Sequence, residues 1–171
     1  MKIVLMGYMA SGKSSVGAVL AKTLGLDFID LDRYIETKEN QSIQAIFHSK
    51  GEIYFRKQES VFLKEILEKK NRFVLALGGG TPCYGTNNDI IAQATSNTFY
   101  LKASIATLSI RLEQEKQTRP IVAQLKPEQL TEYIAKHLFE RAPYYERAQH
   151  KLIIDNKSID EIVLEIKKVL N

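Results

Sequence analysis

The sequence contains one cysteine, Cys83, and no long apolar run. A single cysteine excludes a disulfide within the chain, and a reducing compartment is then the simpler expectation. No apolar stretch approaches the roughly 20 residues that span a bilayer. The first predicted strand already begins at Lys2, which leaves no room for a signal peptide. We therefore expect a soluble, cytoplasmic protein without a membrane partner.

The chain also lacks a block of charge of one sign. It carries 24 Lys and Arg against 20 Asp and Glu, for a net charge of +4, but the basic residues are spread along the sequence. Because neither a basic stripe nor a base-stacking motif is visible, binding to nucleic acid is disfavoured. A site for anionic substrates explains the basic excess equally well.

Internal repeats, linkers and low-complexity tracts are missing too, and 171 residues suit one domain. Strand and helix patterns alternate throughout, which predicts an α/β fold with a parallel sheet covered by helices on both faces. The predicted strands are residues 2–6, 27–30, 72–77, 98–101 and 152–155. The predicted helices are residues 14–24, 32–39, 42–49, 52–70, 88–94, 104–113, 127–148 with a break at Pro143, and 158–170.

One stretch organises the chain, the pattern G-x-x-x-x-G-K-[ST] at residues 7–14, directly after the first strand. Glycines let such a loop curl until backbone N–H groups point at phosphate oxygens, and the following helix adds its positive dipole end. Lys13 would reach the β- and γ-phosphates and Ser14 would hold Mg²⁺. The residues expected to contact the nucleotide here are Gly7, Ala10, Ser11, Gly12, Lys13, Ser14 and Ser15.

Asp30 and Asp32 lie just past the second strand, two residues apart. In extended backbone both carboxylates point the same way, at the sheet edge that carries the phosphate loop. One could help to hold Mg²⁺ while the other accepts a substrate hydroxyl or acts as general base. Alternatively, Asp32 caps the next helix and Asp30 is solvated. The predicted strand at residues 72–77 has no acidic residue at its end, so Asp30 is the better Mg²⁺ candidate.

Arg56 and Glu59 are spaced i and i+3 on a predicted helix. Such spacing allows a weak surface ion pair, and on spacing alone that interpretation is favoured. The functional interpretation is that Glu59 orients the Arg56 guanidinium toward an anionic substrate. The run Gly78-Gly79-Gly80 follows a buried strand, and it is equally consistent with a tight turn and with a ligand that approaches the backbone.

Residues 113–126, the candidate lid segment, are polar and weakly periodic and are interpreted as a mobile surface segment. Its Arg119 could neutralise charge on a transferring phosphoryl group when the lid closes. Arg111 lies at its base, where a guanidinium could stack on adenine. Taken singly, Arg119 and Arg141 are more simply solvated surface arginines.

Taken together, these pieces resemble the shikimate kinase family along the whole chain. The matching motifs, in the family's order, are Gly7–Ser14, Asp30-Leu31-Asp32, Gly51-Glu52-Ile53-Tyr54-Phe55-Arg56 with Glu59, Gly78-Gly79-Gly80, Arg119-Pro120 and Arg141-Ala142-Pro143-Tyr144-Tyr145. The phosphate loop is shared by many NTPases, whereas the combination of the others is specific. The resemblance implies a three-layer P-loop kinase fold with a five-stranded parallel sheet and a mobile lid, as one domain over residues 1–171, with substrate-binding helices at about 32–70.

The resemblance also implies an activity, transfer of the ATP γ-phosphoryl group to the 3-hydroxyl of shikimate in chorismate biosynthesis, with Mg²⁺ as cofactor. It implies these roles: Asp32, Arg56, Gly78, Gly79, Gly80 and Arg141 for shikimate; Ser14 and Asp30 for Mg²⁺; Lys13, Asp32 and Arg119 for catalysis; Arg111 for adenine; and Glu59 for steadying Arg56.

Two positions depart from the commoner family pattern, Ala10 where Gly is frequent and Ile121 where Leu is usual. We expect a monomer. The alternatives are a kinase for another small hydroxy acid such as gluconate, and a catalytically silent relative that binds nucleotide or a partner protein.

Overall fold

Five parallel strands form one sheet in the order β2-β3-β1-β4-β5. The computed structural model describes the backbone of residues 1–171 and all side chains except those at positions 120 and 121. The strands are β1 (Lys2–Met6), β2 (Asp27–Asp30), β3 (Phe73–Ala76), β4 (Thr98–Lys102) and β5 (His150–Ile153). The helices are α1 (Lys13–Leu24), α2 (Leu31–Glu39), α3 (Ile43–Lys69), α4 (Asn87–Ala94), α5 (Ile105–Gln114), α6 (Pro120–Ala123), α7 (Pro127–Tyr145) and α8 (Ile159–Leu170), with 3₁₀ turns at Thr81–Cys83 and Lys116–Thr118.

Strand β1 lies at the centre, between β3 and β4, and its register places Leu5 beside Ala76 and Phe99. Strands β1 and β3 are almost wholly apolar and buried, as expected where helices cover both faces of a parallel sheet. The sheet confirms the predicted α/β class.

Consecutive residues of β1 show that both faces are covered. A Cβ placed on Gly17 of α1 would lie 3.4 Å from the Leu5 side chain. The next residue, Met6, instead lines a small cavity with Ile91 of α4. Because neighbouring side chains of a strand point to opposite faces, α1 and α4 lie on opposite sides of the sheet, and α8 packs beside α1.

Helix α3 is interrupted at Gly51, which has a φ of 83° that an L-residue seldom adopts. The interruption agrees with the two predicted helices on either side of this glycine. Because of this kink, Arg56 and Glu59 lie on the second of two helical segments of α3, after Gly51.

Two predictions about elements were wrong. Helix α7 continues through Pro143 to Tyr145, because the missing N–H costs one bond to the carbonyl of Phe139, whose side chain is exposed, near the end of the helix. The final strand covers His150–Ile153 and not residues 152–155, since pairing with β4 begins at Phe99 and His150. The candidate lid segment contains a 3₁₀ turn and α6, and its Val122 is buried; its movement as a lid stays a prediction.

Among the residues that the structure describes, no helix combines the length and the apolar character that crossing a bilayer requires.

Candidate active site

The loops that follow β1, β2 and β3 meet at one edge of the sheet and enclose a cavity of about 410 Å³. Ligands of open α/β sheets bind at this carboxyl edge. The predicted site residues in its wall are Ala10, Ser11, Gly12, Lys13, Ser14, Ser15, Asp30, Asp32, Gly78, Gly79, Arg111 and Arg119. Four others, Gly7, Arg56, Gly80 and Arg141, lie outside that wall.

The phosphate loop has the backbone that its glycines predict. A Cβ on Gly7 would meet the Leu101 carbonyl oxygen at 2.8 Å, and Gly12 has a φ of 89°. Gly12 precedes α1 without a side-chain cap, and the first turn of the helix holds no acidic residue. The first N–H groups of α1 are therefore available to an anion in the cavity.

Ala10 also has a left-handed backbone, with a φ of 63°. This conformation costs an L-residue roughly 1–2 kcal/mol, a cost that glycine at this position would avoid.

Lys13 is almost buried at the start of α1. Its Nζ donates to the carbonyl oxygens of Gly7 and Tyr8, both at 2.9 Å. Burial lowers the pKa of Lys13 to about 8, opposed by the carboxylate of Asp32 and reinforced by the charge of Arg119. A bound polyphosphate would offset this cost of burial, because it would add negative charge next to the Lys13 ammonium group.

Ser14 and Asp30 place two hard oxygen donors side by side. The Ser14 hydroxyl donates to Asp30 Oδ2 at 2.5 Å, while Asp30 Oδ1 accepts from the backbone N–H of Arg33 at 3.3 Å and so caps α2. In the described part of the chain, no group of three or more acidic, His or Cys side chains could hold a metal. One carboxylate beside a hydroxyl fits Mg²⁺, which takes one or two carboxylates and completes its shell with water and substrate phosphates.

Asp32 lies in the first turn of α2, so the expectation that both aspartates share one extended stretch was wrong: the helix already begins at Leu31. Both carboxylates nevertheless line the cavity. Burial raises the pKa of Asp32 to about 6, with further contributions from the charges of Asp30 and Glu59. Asp32 also approaches the glycine turn, since a Cβ on Gly78 would lie 2.9 Å from its Oδ1.

Arg56 and Glu59 form a buried ion pair and not the surface pair that spacing alone favours. Arg56 Nη1 lies 2.8 Å from Glu59 Oε2, and the Glu59 side chain is 1% exposed. The other carboxylate oxygen of Glu59 accepts the hydroxyl of Thr81 at 2.6 Å. Burial alone would lower the pKa of Arg56, but the Glu59 carboxylate reverses this and raises it.

The glycine turn brings the second arginine to the same place. A Cβ on Gly79 would lie 3.4 Å from Arg141 Nη1, and one on Gly80 would lie 2.6 Å from Arg56 Nη2. The Tyr145 hydroxyl donates to the Gly79 carbonyl oxygen at 2.5 Å. The turn is therefore a close approach of two guanidinium groups to the backbone, which a side chain at either glycine would obstruct.

Arg111 and Arg119, the other two predicted arginines, line the cavity together with the phosphate loop. Arg111 of α5 donates to the carbonyl oxygen of Ala10 at 3.1 Å. Arg119 pairs with Glu115 through Nε at 2.8 Å, with 36% and 43% of the two side chains exposed. Glu115 lines the cavity beside both arginines, and the roles predicted for Arg111 and Arg119 stay predictions.

Sequence reasoning missed several residues that position this site: Thr81, Tyr84, Glu115, and the pair of Tyr8 and His137, whose side chains hydrogen-bond at 2.9 Å. Thr81 and Tyr84 directly follow the glycine run, and this adjacency was the available signal. Tyr8 and His137 are 129 residues apart, and no local pattern connects them.

A parallel sheet of this order, with a glycine loop that delivers a buried lysine to a helix N-terminus, defines a P-loop kinase fold. The shikimate kinase family model matches residues 9–171. The chain belongs to the shikimate kinase family.

Individual relatives agree with this assignment. A shikimate kinase from Flavobacterium johnsoniae is 47% identical over 99% of this chain and 98% of its own. The crystal structure of shikimate kinase from Bacteroides thetaiotaomicron has a TM-score of 0.90 and 32% identity, covering 99% of this chain and 98% of that one. Shikimate kinase from Acinetobacter baumannii in complex with shikimate has a TM-score of 0.87 and 31% identity, covering 99% and 92%.

Proposed function

We propose that this chain transfers the γ-phosphoryl group of ATP to the 3-hydroxyl of shikimate, giving shikimate 3-phosphate and ADP, with Mg²⁺ as cofactor. Family membership makes the chain an ATP-dependent kinase of the shikimate pathway. The observation that carries the acceptor is the convergence of Arg56 and Arg141 on the glycine turn, close to the half-buried carboxylate of Asp32. Two cations beside a hydrogen-bond acceptor fit a small carboxylic acid that carries hydroxyl groups.

The donor side is the phosphate loop. Backbone N–H groups at the start of α1 and the Nζ of Lys13 would bind the phosphates. The Nζ would then give up its hydrogen bonds to the carbonyl oxygens of Gly7 and Tyr8 and donate to phosphate oxygens instead. Ser14 and Asp30 would hold Mg²⁺, which when bound neutralises charge on the phosphates.

On the acceptor side, Arg56 and Arg141 would bind the carboxylate and Asp32 the hydroxyls. In the transfer, the 3-hydroxyl oxygen forms a bond to the γ-phosphorus, the bond to the bridging oxygen of ADP breaks, and the hydroxyl proton passes to Asp32. A pKa of about 6 leaves Asp32 ionised at neutral pH yet able to take this proton.

The lid segment would complete the site. Arg119 would leave Glu115 to neutralise charge on the transferring phosphoryl group, and closure of residues 113–126 would exclude water. Arg111 would stack on adenine.

The alternative of a gluconate kinase or a silent relative is not favoured, because the family match covers the chain and the kinase residues are present. A cytoplasmic location and a monomeric state remain predictions, the latter accessible to light scattering.

The decisive experiment is an assay that couples ADP release to NADH oxidation, with ATP, Mg²⁺ and either shikimate or gluconate. We expect turnover with shikimate alone, and we expect Lys13→Ala to abolish useful turnover. Turnover with gluconate but not shikimate, or normal kinetics in the Lys13 variant, would contradict the proposal.

A further inference from the structure

The guanidinium of Arg56 is held on more sides than its ion pair with Glu59 accounts for. Its terminal nitrogens face Gly80, where a Cβ would come within 2.6 Å of Nη2 and 2.7 Å of Nη1. Its Nε is buried and has no hydrogen-bond partner among the described residues. The ion pair and the turn hold the terminal nitrogens only, so a contact on the face of the guanidinium group is what would fix its plane.

That contact is Tyr84. The Cζ of Arg56 lies 4.1 Å from the centre of the Tyr84 ring, closer than the 5.2 Å to the ring of Phe55. The Tyr84 hydroxyl donates to Glu52 Oε1 at 2.8 Å, and this same oxygen lies 3.8 Å from Arg56 Nε. The hydrogen bond to Glu52 is also the main reason why the pKa of Tyr84 is raised, which keeps the hydroxyl a donor.

We propose that Tyr84 is a positioning residue for recognition of the acid substrate: its ring stacks on Arg56, and with Glu59 it fixes the guanidinium so that Nη2 presents to the substrate carboxylate. The inference rests on the proposed function and adds to it a determinant of acceptor affinity. Stacking of arginine on an aromatic ring and bidentate binding of a carboxylate use different parts of the guanidinium, the face and the edge. Tyr84 therefore stabilises the productive orientation without occupying the donors.

The test compares Tyr84→Leu and Tyr84→Phe with the unaltered protein, by steady-state kinetics and by calorimetric titration of shikimate into nucleotide-free protein. Loss of the ring is expected to raise both KM and Kd for shikimate about tenfold, and to leave KM for ATP within about twofold. Tyr84→Phe keeps the ring and is expected to stay within about twofold of the unaltered protein.

A matched control exists in α3, the helix that carries Arg56. Tyr54 carries the same combination, with Lys50 Nζ 4.6 Å from its ring centre and its hydroxyl 2.9 Å from Glu39. Tyr54→Leu removes an equivalent aromatic ring beside a cation, away from the glycine turn, and it should leave KM for shikimate within about twofold.

A double-mutant cycle separates positioning from general support of the fold. In an Arg56→Lys background, which lacks the planar group, Tyr84→Leu should change Kd for shikimate by less than about twofold. An equal loss in both backgrounds, a change below about threefold in Tyr84→Leu alone, or an equal loss in Tyr84→Phe or Tyr54→Leu would overturn the inference. Absence of shikimate turnover by the unaltered chain would instead overturn the proposed function and this inference with it.

Discussion

Arg56 and Arg119 are each paired with a glutamate three or four residues away in sequence, at 2.8 Å, yet their surroundings differ greatly. The Arg56 and Glu59 side chains are 15% and 1% exposed, and Thr81 and Tyr84 hold the pair from two further sides. Arg119 and Glu115 are 36% and 43% exposed. Although the two distances are equal, the Arg56–Glu59 pair is held in place by its neighbours, whereas water can readily replace the Arg119–Glu115 pair.

This difference in exposure agrees with the roles proposed for the two arginines, Arg56 in binding the substrate carboxylate and Arg119 in stabilising the transferring phosphoryl group. A carboxylate is present throughout the reaction, so a fixed arginine lowers the entropic cost of binding it. Charge on the transferring phosphoryl group matters only after both substrates are bound, so an arginine released from a weak surface pair suits that step. Four predictions test this comparison.

The largest effect is on stability. Glu59→Ala leaves the largely buried Arg56 cation with only the more distant carboxylate of Glu52, at 3.8 Å, and is expected to lower the free energy of unfolding by about 3 kcal/mol. Glu115→Ala, the matched change in the exposed pair, should cost less than about 0.5 kcal/mol. Urea denaturation followed by circular dichroism measures both, and comparable losses in the two variants would show that the pairs are equivalent.

Arg119→Ala should act on turnover. Loss of a donor to the transferring group is expected to lower kcat by about 10²–10³, with KM for shikimate changed less than about threefold. Arg119→Lys keeps the charge and serves as the control. If the alanine variant altered KM for shikimate and spared kcat, the lid arginine would belong with the acid-binding residues.

Arg141→Ala should change KM for shikimate and not kcat, the opposite of Arg119→Ala. Loss of one charged hydrogen-bond donor to the carboxylate is expected to raise KM for shikimate about 10- to 100-fold and to leave kcat within about threefold. Titration calorimetry with shikimate checks that the change lies in binding. An unchanged Kd would remove Arg141 from the carboxylate site.

The smallest effect concerns Asp32 and depends on pH. Because its folded pKa of about 6 is above the unfolded value, the folded protein binds the extra proton, and its stability falls as pH rises from about 4 to about 6. Asp32→Asn removes this dependence. The variant should therefore melt about 5 °C above the unaltered protein at pH 7.5, and the gap should narrow toward pH 4.

This comparison is made by calorimetry in chelator without nucleotide, the state to which the pKa of Asp32 applies. A constant gap between pH 4 and pH 7.5 would contradict a raised pKa.

The two ends of the site also differed in how far the sequence predicted them. The phosphate loop is contiguous, so its spacing alone indicated where Gly12, Lys13 and Ser14 would lie. The acid-binding end joins residues of α3, the glycine turn and α7, and spacing favoured a surface location for Arg56. Only resemblance to the family placed Arg56 and Arg141 together, because local patterns carry no information about which helices meet.

The residues that were missed have the same explanation. The carboxylate of Glu59 is buried against Thr81, a contact between residues 22 positions apart that helix spacing does not indicate. Helix α7 passes Pro143 for a similar reason: packing of Tyr145 against the glycine turn outweighs one lost hydrogen bond.

The carboxylate of Asp30 gives its two oxygens separate tasks. Oδ1 terminates α2 by accepting from Arg33, whereas Oδ2 faces the Ser14 hydroxyl. Asparagine could keep the first contact and abolish the negative charge at the second. If Asp30 holds Mg²⁺ as proposed, its helix-capping role and its metal-binding role rest on different oxygens, so a substitution could remove the second role and leave the helix in place.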